Sequence, residues 1–488
     1  MTTAPPAAGE GDLLARVRHA VIWRSGSQIA AQIVAWASTF LVIRLLDPAD
    51  YGLFAMTQVV LVFLNLMNGY GMASALIRAD KVSRHELRQA FGVLVLLNGT
   101  LGLAQFFTAP LIADYYRQDA VGDLLRVQAL LYVATPFTAL AHAILSRSMD
   151  FRRPAQVRLC ASLAGALTAL TCALSGWGVW TLVAAPLALF YVEAIGMTWA
   201  ARSLMWPSFR FRGAGALLGY GGAMMLVQLC WFFQSQADVM IAGRSLEPHA
   251  LGIYTTALFL TQILASKFIP PLNEVAFAAY SRIQNERERM SEGFLKGLRL
   301  ILLVTMPAYT GLAVTADPLV ATMLGEKWLE VSAIVPILAL AMPVYTLQIV
   351  LGPPVQSLGR PALTLRTAFA GALILPVAFL FGVKWGVDGL AWAWLAGITA
   401  TLVVTMTLAL PAIGVTLSGI ARAAAPSVLA ALAMAVLVAT TDMILPAGLS
   451  APARLGVLVA VGGLSYAGLL LLFARGVVRD AWALVRAR

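Results

Sequence analysis

Apolar runs about as long as a bilayer is thick recur along the whole chain, and short polar breaks separate them. A membrane helix needs about 20 mostly apolar residues. That ruler predicts spans near 26–45, 51–72, 89–110, 124–146, 157–176, 179–200, 217–240, 250–270, 298–316, 331–351, 363–383, 387–410, 424–445 and 454–474. The expected fold is an all-α integral membrane protein with about fourteen transmembrane helices. The longest polar stretch, from Asn273 to Lys296, is far too short for a soluble domain.

Composition supports the pattern. The chain is 60% hydrophobic and only 12% charged, with a mean hydropathy of +0.82. A soluble domain carries about 25% charged residues, so a soluble enzyme, a nucleic-acid factor and a disulfide scaffold are excluded. The three cysteines, Cys160, Cys172 and Cys230, lie in apolar runs without a C-x-x-C spacing. Residues 1–20 contain Pro5, Pro6, Glu10 and Asp12 but no apolar h-region. They read as a tail, not a signal peptide.

The net charge of +11 reflects topology. With an even number of spans both termini share a side. On that side fall 26 of the 34 Lys and Arg, against 7 on the other, and Lys267 lies within a span. This is the positive-inside pattern and predicts cytoplasmic termini.

An internal repeat is legible. Arg44-Leu-Leu-Asp-Pro-Ala-Asp-Tyr-Gly52-Leu-Phe54 recurs as Arg244-Ser-Leu-Glu-Pro-His-Ala-Leu-Gly252-Ile-Tyr254, and Gln28 answers Gln228. Further on, Arg153-Pro154-Ala155 answers Arg360-Pro361-Ala362, and Trp177-Gly178-Val179 answers Trp385-Gly386-Val387. The expected organisation is a cytoplasmic tail (1–20), an N-lobe of spans one to six (21–205) and a C-lobe of spans seven to twelve (206–412). Spans thirteen and fourteen with a cytoplasmic tail follow (413–488). Six helices per repeat make the lobes parallel, an architecture in which transporters bind substrate between halves.

With these words the chain resembles Wzx-type lipid-linked oligosaccharide flippases. These form the polysaccharide transporter family of the multidrug/oligosaccharidyl-lipid/polysaccharide exporter superfamily. The matching words are Arg44 to Gly52, Gly71-Met-Ala-Ser-Ala-Leu-Ile-Arg78, Tyr280-Ser-Arg-Ile-Gln284, Gly325-Glu-Lys-Trp328 and Ser357-Leu-Gly-Arg-Pro361. They cover about residues 20–410, and the likeness is strongest for the colanic-acid-exporter-like branch. One departure stands out. Where the family usually shows a Pro before Tyr280, this chain reads Val275-Ala-Phe-Ala-Ala279. The resemblance implies a non-enzymatic transporter of the bacterial inner membrane, working by alternating access of two lobes. Its cargo would be an undecaprenyl-diphosphate-linked sugar repeat unit, moved from the cytoplasmic to the periplasmic leaflet. A polysaccharide polymerase or export machinery would receive that unit.

Such a cargo needs cations for the diphosphate and polar or aromatic groups for the sugars. Span one offers Arg24, Gln28 and Gln32 on one helical face. Span two offers Gln58, Asn65 and Asn68, and span seven offers Gln228, Trp231, Ser235 and Asp238. Two readings stand for each amide: a hydrophilic cavity, or interhelical hydrogen bonds worth about 0.6 kcal/mol each. For Arg24 and Lys267 the alternatives are a phosphate contact and snorkelling to the interface. Asp238 and Glu193 are candidates for ion coupling through Na⁺ or H⁺, with a structural ion pair as the other reading. Acid-Pro at Asp47-Pro48 and Glu247-Pro248 is a helix-start signature. Gly69-Tyr70-Gly71 and Pro270-Pro271 predict matching interruptions of spans two and eight. The basic clusters after Arg78, Arg147 and Arg282 read mainly as topology signals, with attraction of anionic lipid as a second effect.

Enzyme and metal motifs are missing: Gly213-Ala-Gly-Ala-Leu-Leu-Gly219 is not G-x-G-x-x-G, and the four histidines are isolated. No cofactor, metal site or nucleic-acid partner is expected. The competing readings are a multidrug exporter of the same superfamily and, from a different class, a membrane polysaccharide polymerase or ligase. The latter usually carries a long periplasmic loop, for which no outward loop here is long enough.

Overall fold

A computed structural model describes residues 32, 34, 36–66, 83–148, 150, 152–209, 222–446 and 448–473. The described residues form helices and turns without strands. The chain divides into two compact units. One holds the residues up to Asp47 and Met56–Gly222; the other holds Pro48–Ala55 and everything from Ala223.

In the first unit, α1 (Trp36–Leu45) is followed by α2 (Pro48–Leu66), whose opening turns group with the second unit. Then come α3 (Arg84–Tyr116), α4 (Asp119–Gln128), α5 (Leu131–Arg147), α6 (Arg152–Leu174) and α7 (Trp180–Ala201). The start of α3 is set by a reciprocal capping box: Glu86 N–H donates to Ser83 Oγ (3.2 Å) and Ser83 N–H donates to Glu86 Oε2 (2.6 Å). Helix α6 packs along α7, and α7 along α5. Little hydrophobic force separates helix from lipid inside a bilayer, so such pairs rely on close packing at small residues. Here Gly165 faces Leu189, and Gly196 faces Val157.

The second unit comprises α8 (Gly222–Ser245), α9 (Pro248–Arg282), α10 (Arg287–Val314), α11 (Ala316–Met323), α12 (Val331–Val350), α13 (Gly352–Ser357), α14 (Pro361–Gly382), α15 (Gly386–Ile413), α16 (Leu417–Ile444) and α17 (Ala451–Phe473). The pair α14 and α15 repeats the logic of α6 and α7, with Gly382 and Gly389 seated against each other's turns. The matched words that join the helices of each pair share a backbone state at their central glycine. Gly178 (φ 53°) and Gly386 (φ 72°) are both left-handed, a conformation that favours glycine. A buried apolar cluster joins Ile269 and Tyr280 of α9, Phe294 and Leu298 of α10, Met434 and Val438 of α16, and Leu458 and Tyr466 of α17. The last two helices are therefore part of this unit's core. Tyr466 Oη donates to Leu303 O (2.9 Å), and Arg454 grips Asp442 through two hydrogen bonds of 2.6 and 2.8 Å.

Among the described residues, eleven helical stretches are long and apolar enough to cross a membrane, and Pro361–Ile413 holds two of the expected spans. Span one falls on α1 over its described part, and span seven falls on α8. Over their described residues, all fourteen expected spans thus lie on helices. Span four differs in detail, because its helix restarts at Leu131 after a turn following α4.

One expectation is corrected. Pro270 and Pro271 do not interrupt span eight: α9 runs unbroken through them to Arg282, across Val275 to Ala279 as well. Proline's fixed φ is compatible with a helix, and its cost is mainly the lost bond to the carbonyl four residues back. Those carbonyls belong to Ser266 and Lys267, exposed residues about a full hydrocarbon thickness from Pro248, where interfacial water can replace the lost bonds. The partner interruption at Gly69 to Gly71 lies outside the described residues.

The repeated acid-Pro words do start helices. Glu247 is extended (φ −69°, ψ 152°) with Pro248 at the first helical position, and Leu251 N–H donates to its carbonyl at 3.1 Å. The two copies also touch. A Cβ on Gly52 would collide with the Pro248 carbonyl, and one on Gly252 with the Pro48 carbonyl. Two helix starts therefore cross backbone to backbone at paired glycines. Beside the crossing, the Tyr51 ring meets Trp328 edge-on at 5.4 Å and 84°. Trp328 is fully buried, so two of the motif words, far apart in the chain, are one packing contact.

Candidate functional site

The most polar buried cluster of the second unit surrounds Asp238. This residue sits on α8 at 2% exposure, about 10 Å in from the helix end at Ser245 by the helical rise. Tyr254 of α9 lies six residues beyond Pro248, and Trp394 of α15 eight beyond Gly386, so all three meet at similar depth. Tyr254 Oη donates to Asp238 Oδ2 at 2.8 Å, and Trp394 Nε1 donates to the same oxygen at 3.4 Å. The other oxygen, Oδ1, accepts from the Val239 N–H at 2.8 Å. Tyr345 closes the aromatic wall, its ring edge-on to Trp394 at 5.2 Å and 89°. Phe379 backs the indole at 6.5 Å.

Every contact to Asp238 is a neutral donor, and among the described residues no Lys, Arg or His pairs with it. A buried carboxylate without a cation is expensive to keep charged. The geometry therefore differs from a packed ion pair, the other reading of this acid.

Lys267 is the other charge placed within a span. It lies 13 residues beyond Tyr254 on α9, about 20 Å further along the axis and roughly 220° around it. Tyr254 faces the buried interior, whereas Lys267 is exposed and, among the described residues, has no hydrogen bond or ion pair. It stands about 28 Å from Pro248, close to the full thickness of the hydrocarbon layer.

The remaining sequence candidates divide. Glu193 of α7 faces Arg158 of α6 at 3.9 Å (Nε to Oε1), an ion pair inside the first unit. Gln32 is half-buried, while Asn65, Gln228 and Trp231 are exposed. The structure brings Asp238 together with Tyr254 and Trp394, not with Gln228 and Trp231. Ten residues at 100° each turn Asp238 about 80° away from Gln228. Arg24, Gln28 and Asn68 lie outside the described residues. Elsewhere polar side chains do serve as interhelical glue: Gln128 Nε2 donates to Thr57 Oγ1 at 3.0 Å, and Gln234 Nε2 to the Ala368 carbonyl at 3.0 Å. Among the described residues no three His, Cys, Asp or Glu side chains cluster as metal ligands would.

Sequence reasoning missed Tyr254, Tyr345 and Trp394. One signal was available: Tyr254 ends the second repeat word where the first ends in Phe54, and Asp238 stands 200 residues beyond Ser38. The acid and the hydroxyl that binds it are thus both peculiar to the second copy.

Known proteins show the same outline. Residues 41–333 match a family described as polysaccharide biosynthesis protein. The chain is 24% identical over 321 residues to the lipopolysaccharide biosynthesis protein WzxC of Escherichia coli (strain K12), spanning 64% of each. It is 25% identical over 454 residues to the succinoglycan biosynthesis transport protein ExoT of Rhizobium meliloti (strain 1021), spanning 91% of this chain and 90% of that one. Among solved structures, the lipid II flippase MurJ in an inward closed conformation superposes with a TM-score of 0.75. That likeness covers 94% of this chain and all of that one at 14% identity, and at such identity it speaks for the fold alone.

Proposed function

This chain belongs to the polysaccharide biosynthesis protein family, and on that premise we propose that it flips polyprenyl-diphosphate-linked oligosaccharides from the cytoplasmic to the periplasmic leaflet of the inner membrane. Both termini are cytoplasmic in this reading, which the split of 26 against 7 basic residues supports. The flipped unit passes to the machinery that builds a surface polysaccharide.

The observation that carries the reading is Lys267. A cation on an apolar helix, exposed and without an acid partner, is what a diphosphate entering from the cytoplasmic side requires. Bare phosphate charge in hydrocarbon is prohibitive, so the protein must offer compensating cations along the route. Arg24 on span one is the second cation assigned to this role. Outward transfer of about two negative charges runs down the membrane potential by roughly 4 to 5 kcal/mol per 100 mV.

Asp238 supplies the coupling. Its partners are three N–H and O–H donors and no set of oxygen ligands, an environment that suits a proton better than Na⁺. Export of glycan by a strain lacking its own copy of the gene tests the proposal. Lys267→Ala and Arg24→Ala should each reduce export at unchanged protein level, and Lys267→Arg should retain part of it. Full export by the double alanine variant would remove the phosphate role and leave Lys267 as an interfacial anchor.

A further inference from the structure

The first unit holds two apolar grooves, of about 980 and 970 Å³, that adjoin along the Val133 and Phe137 edge of α5. One runs between α5, α6 and α7; the other runs between α3 and α5. Val133, Phe137 and Leu204 line both, so the grooves lie side by side, parted by a ridge of Val133 and Phe137, and meet again at Leu204. The first groove follows α7 from Tyr191 to Arg202, about 16 Å by the helical rise, and the second follows α3 from Phe91 to Phe106, about 22 Å. One leaflet's hydrocarbon is about 15 Å deep. Each groove therefore has the length of an acyl chain.

The Leu204 end of the first groove is cationic. Arg202, which caps α7, and Arg153, which opens α6, both line the first groove. Arg153 is partly neutralised by Asp150 at 3.4 Å and donates to the Ala200 carbonyl at 3.3 Å. Arg202 is exposed and has no side-chain partner among the described residues. Its backbone is left-handed (φ 48°), a state that favours glycine, yet the position carries an arginine. An unfavourable backbone kept at a charged residue points to a use for the side chain.

The strap after Arg202 is fixed in place. Arg88 Nε donates to the Trp206 carbonyl at 3.0 Å, and the Ser208 N–H donates to the Arg88 carbonyl at 2.8 Å. The strap also crosses α3 so closely that a Cβ on Gly92 would strike the Ser208 carbonyl. Anchored this way, the strap leaves Leu204 80% and Trp206 84% exposed, level with Trp199 at 84%. Indole rings grouped with arginines mark headgroup depth.

We propose that this unit binds one diacyl anionic phospholipid, its phosphate on Arg202 and Arg153 and its two chains in the adjoining grooves parted by Val133 and Phe137. Charge selects the occupant. Any lipid fills an apolar groove, but a pair of guanidinium groups at its head favours a headgroup with net negative charge. The site lies within the first unit and does not depend on the transport reading.

The full chain, purified in detergent, is titrated with phosphatidylglycerol or phosphatidylcholine and the retained lipid is counted by native mass spectrometry. The expected result is one phosphatidylglycerol held in preference to phosphatidylcholine. Arg202→Gly suits the left-handed backbone while removing the cation, and should lower that preference by about fivefold. Gly99 lines the second groove with open space around it, so Gly99→Phe should fold normally and weaken retention of either lipid. Equal retention of the two lipids, or an Arg202→Gly protein with unchanged preference, overturns the proposal. Displacement of phosphatidylglycerol by polyprenyl phosphate at equal concentration also overturns it, because the groove would then belong to the cargo's tail.

Discussion

Asp238 gathers donors from three helices, and the two side chains that bind it come from 16 and 156 residues further on. Removing the Tyr254 hydroxyl leaves a buried carboxyl short of a partner, so Tyr254→Phe should cost about 1 to 3 kcal/mol of stability. A thermal melt of the detergent-solubilised protein measures it. Asp238→Asn keeps the shape and a hydrogen-bonding capacity but cannot carry a proton. If the carboxyl couples export to protons, wild-type export falls as the external pH rises, while the Asn variant is slow and flat across the same range. A variant that keeps the wild-type pH profile would dismiss the coupling role. At this scale the sequence was partly legible. An acid within an apolar run is conspicuous by its desolvation cost, and Asp238 was found that way. Trp394 and Tyr345 were not, since aromatic residues in apolar spans are unremarkable until the fold turns them toward one carboxylate.

Helices were the most legible layer, because a span is a local property of some 20 residues and needs no knowledge of its neighbours. Where local reasoning failed, at Pro270-Pro271, the outcome depended on whether the freed carbonyls at Ser266 and Lys267 were buried or exposed, which only tertiary placement decides. The repeat words carried more than helix starts. Gly52 and Gly252 recur because each takes the other copy's proline backbone against its Cα. Gly52→Ala should therefore destabilise the protein by about 1 to 3 kcal/mol, the ordinary cost of overpacking. Gly456→Ala, where a Cβ meets nothing within 4 Å, should leave the melting temperature unchanged or slightly higher. Equal melting behaviour of the two variants would refute the close crossing.

For the whole molecule the testable quantity is its orientation. Reporter fusions after Arg88, Arg212 and Arg475 should register cytoplasm, and fusions near Asp119 and Glu326 should register periplasm; reversal at two of these sites inverts the assignment. The family was legible from five short words in order, and two of them prove to be one contact, Tyr51 against Trp328. Words that pack in this way speak for the fold more readily than for the cargo. The grouping of Pro48–Ala55 with the second unit also governs how the protein is made. The turns around Gly52 leave the ribosome some 200 residues before Pro248 exists to receive them. At roughly 5 to 20 residues per second, that is an interval of about 10 to 40 s. Throughout it a nascent chain already threaded into the bilayer holds an unfilled backbone-sized notch, which the insertion machinery or a neighbouring helix has to shield until the second copy arrives.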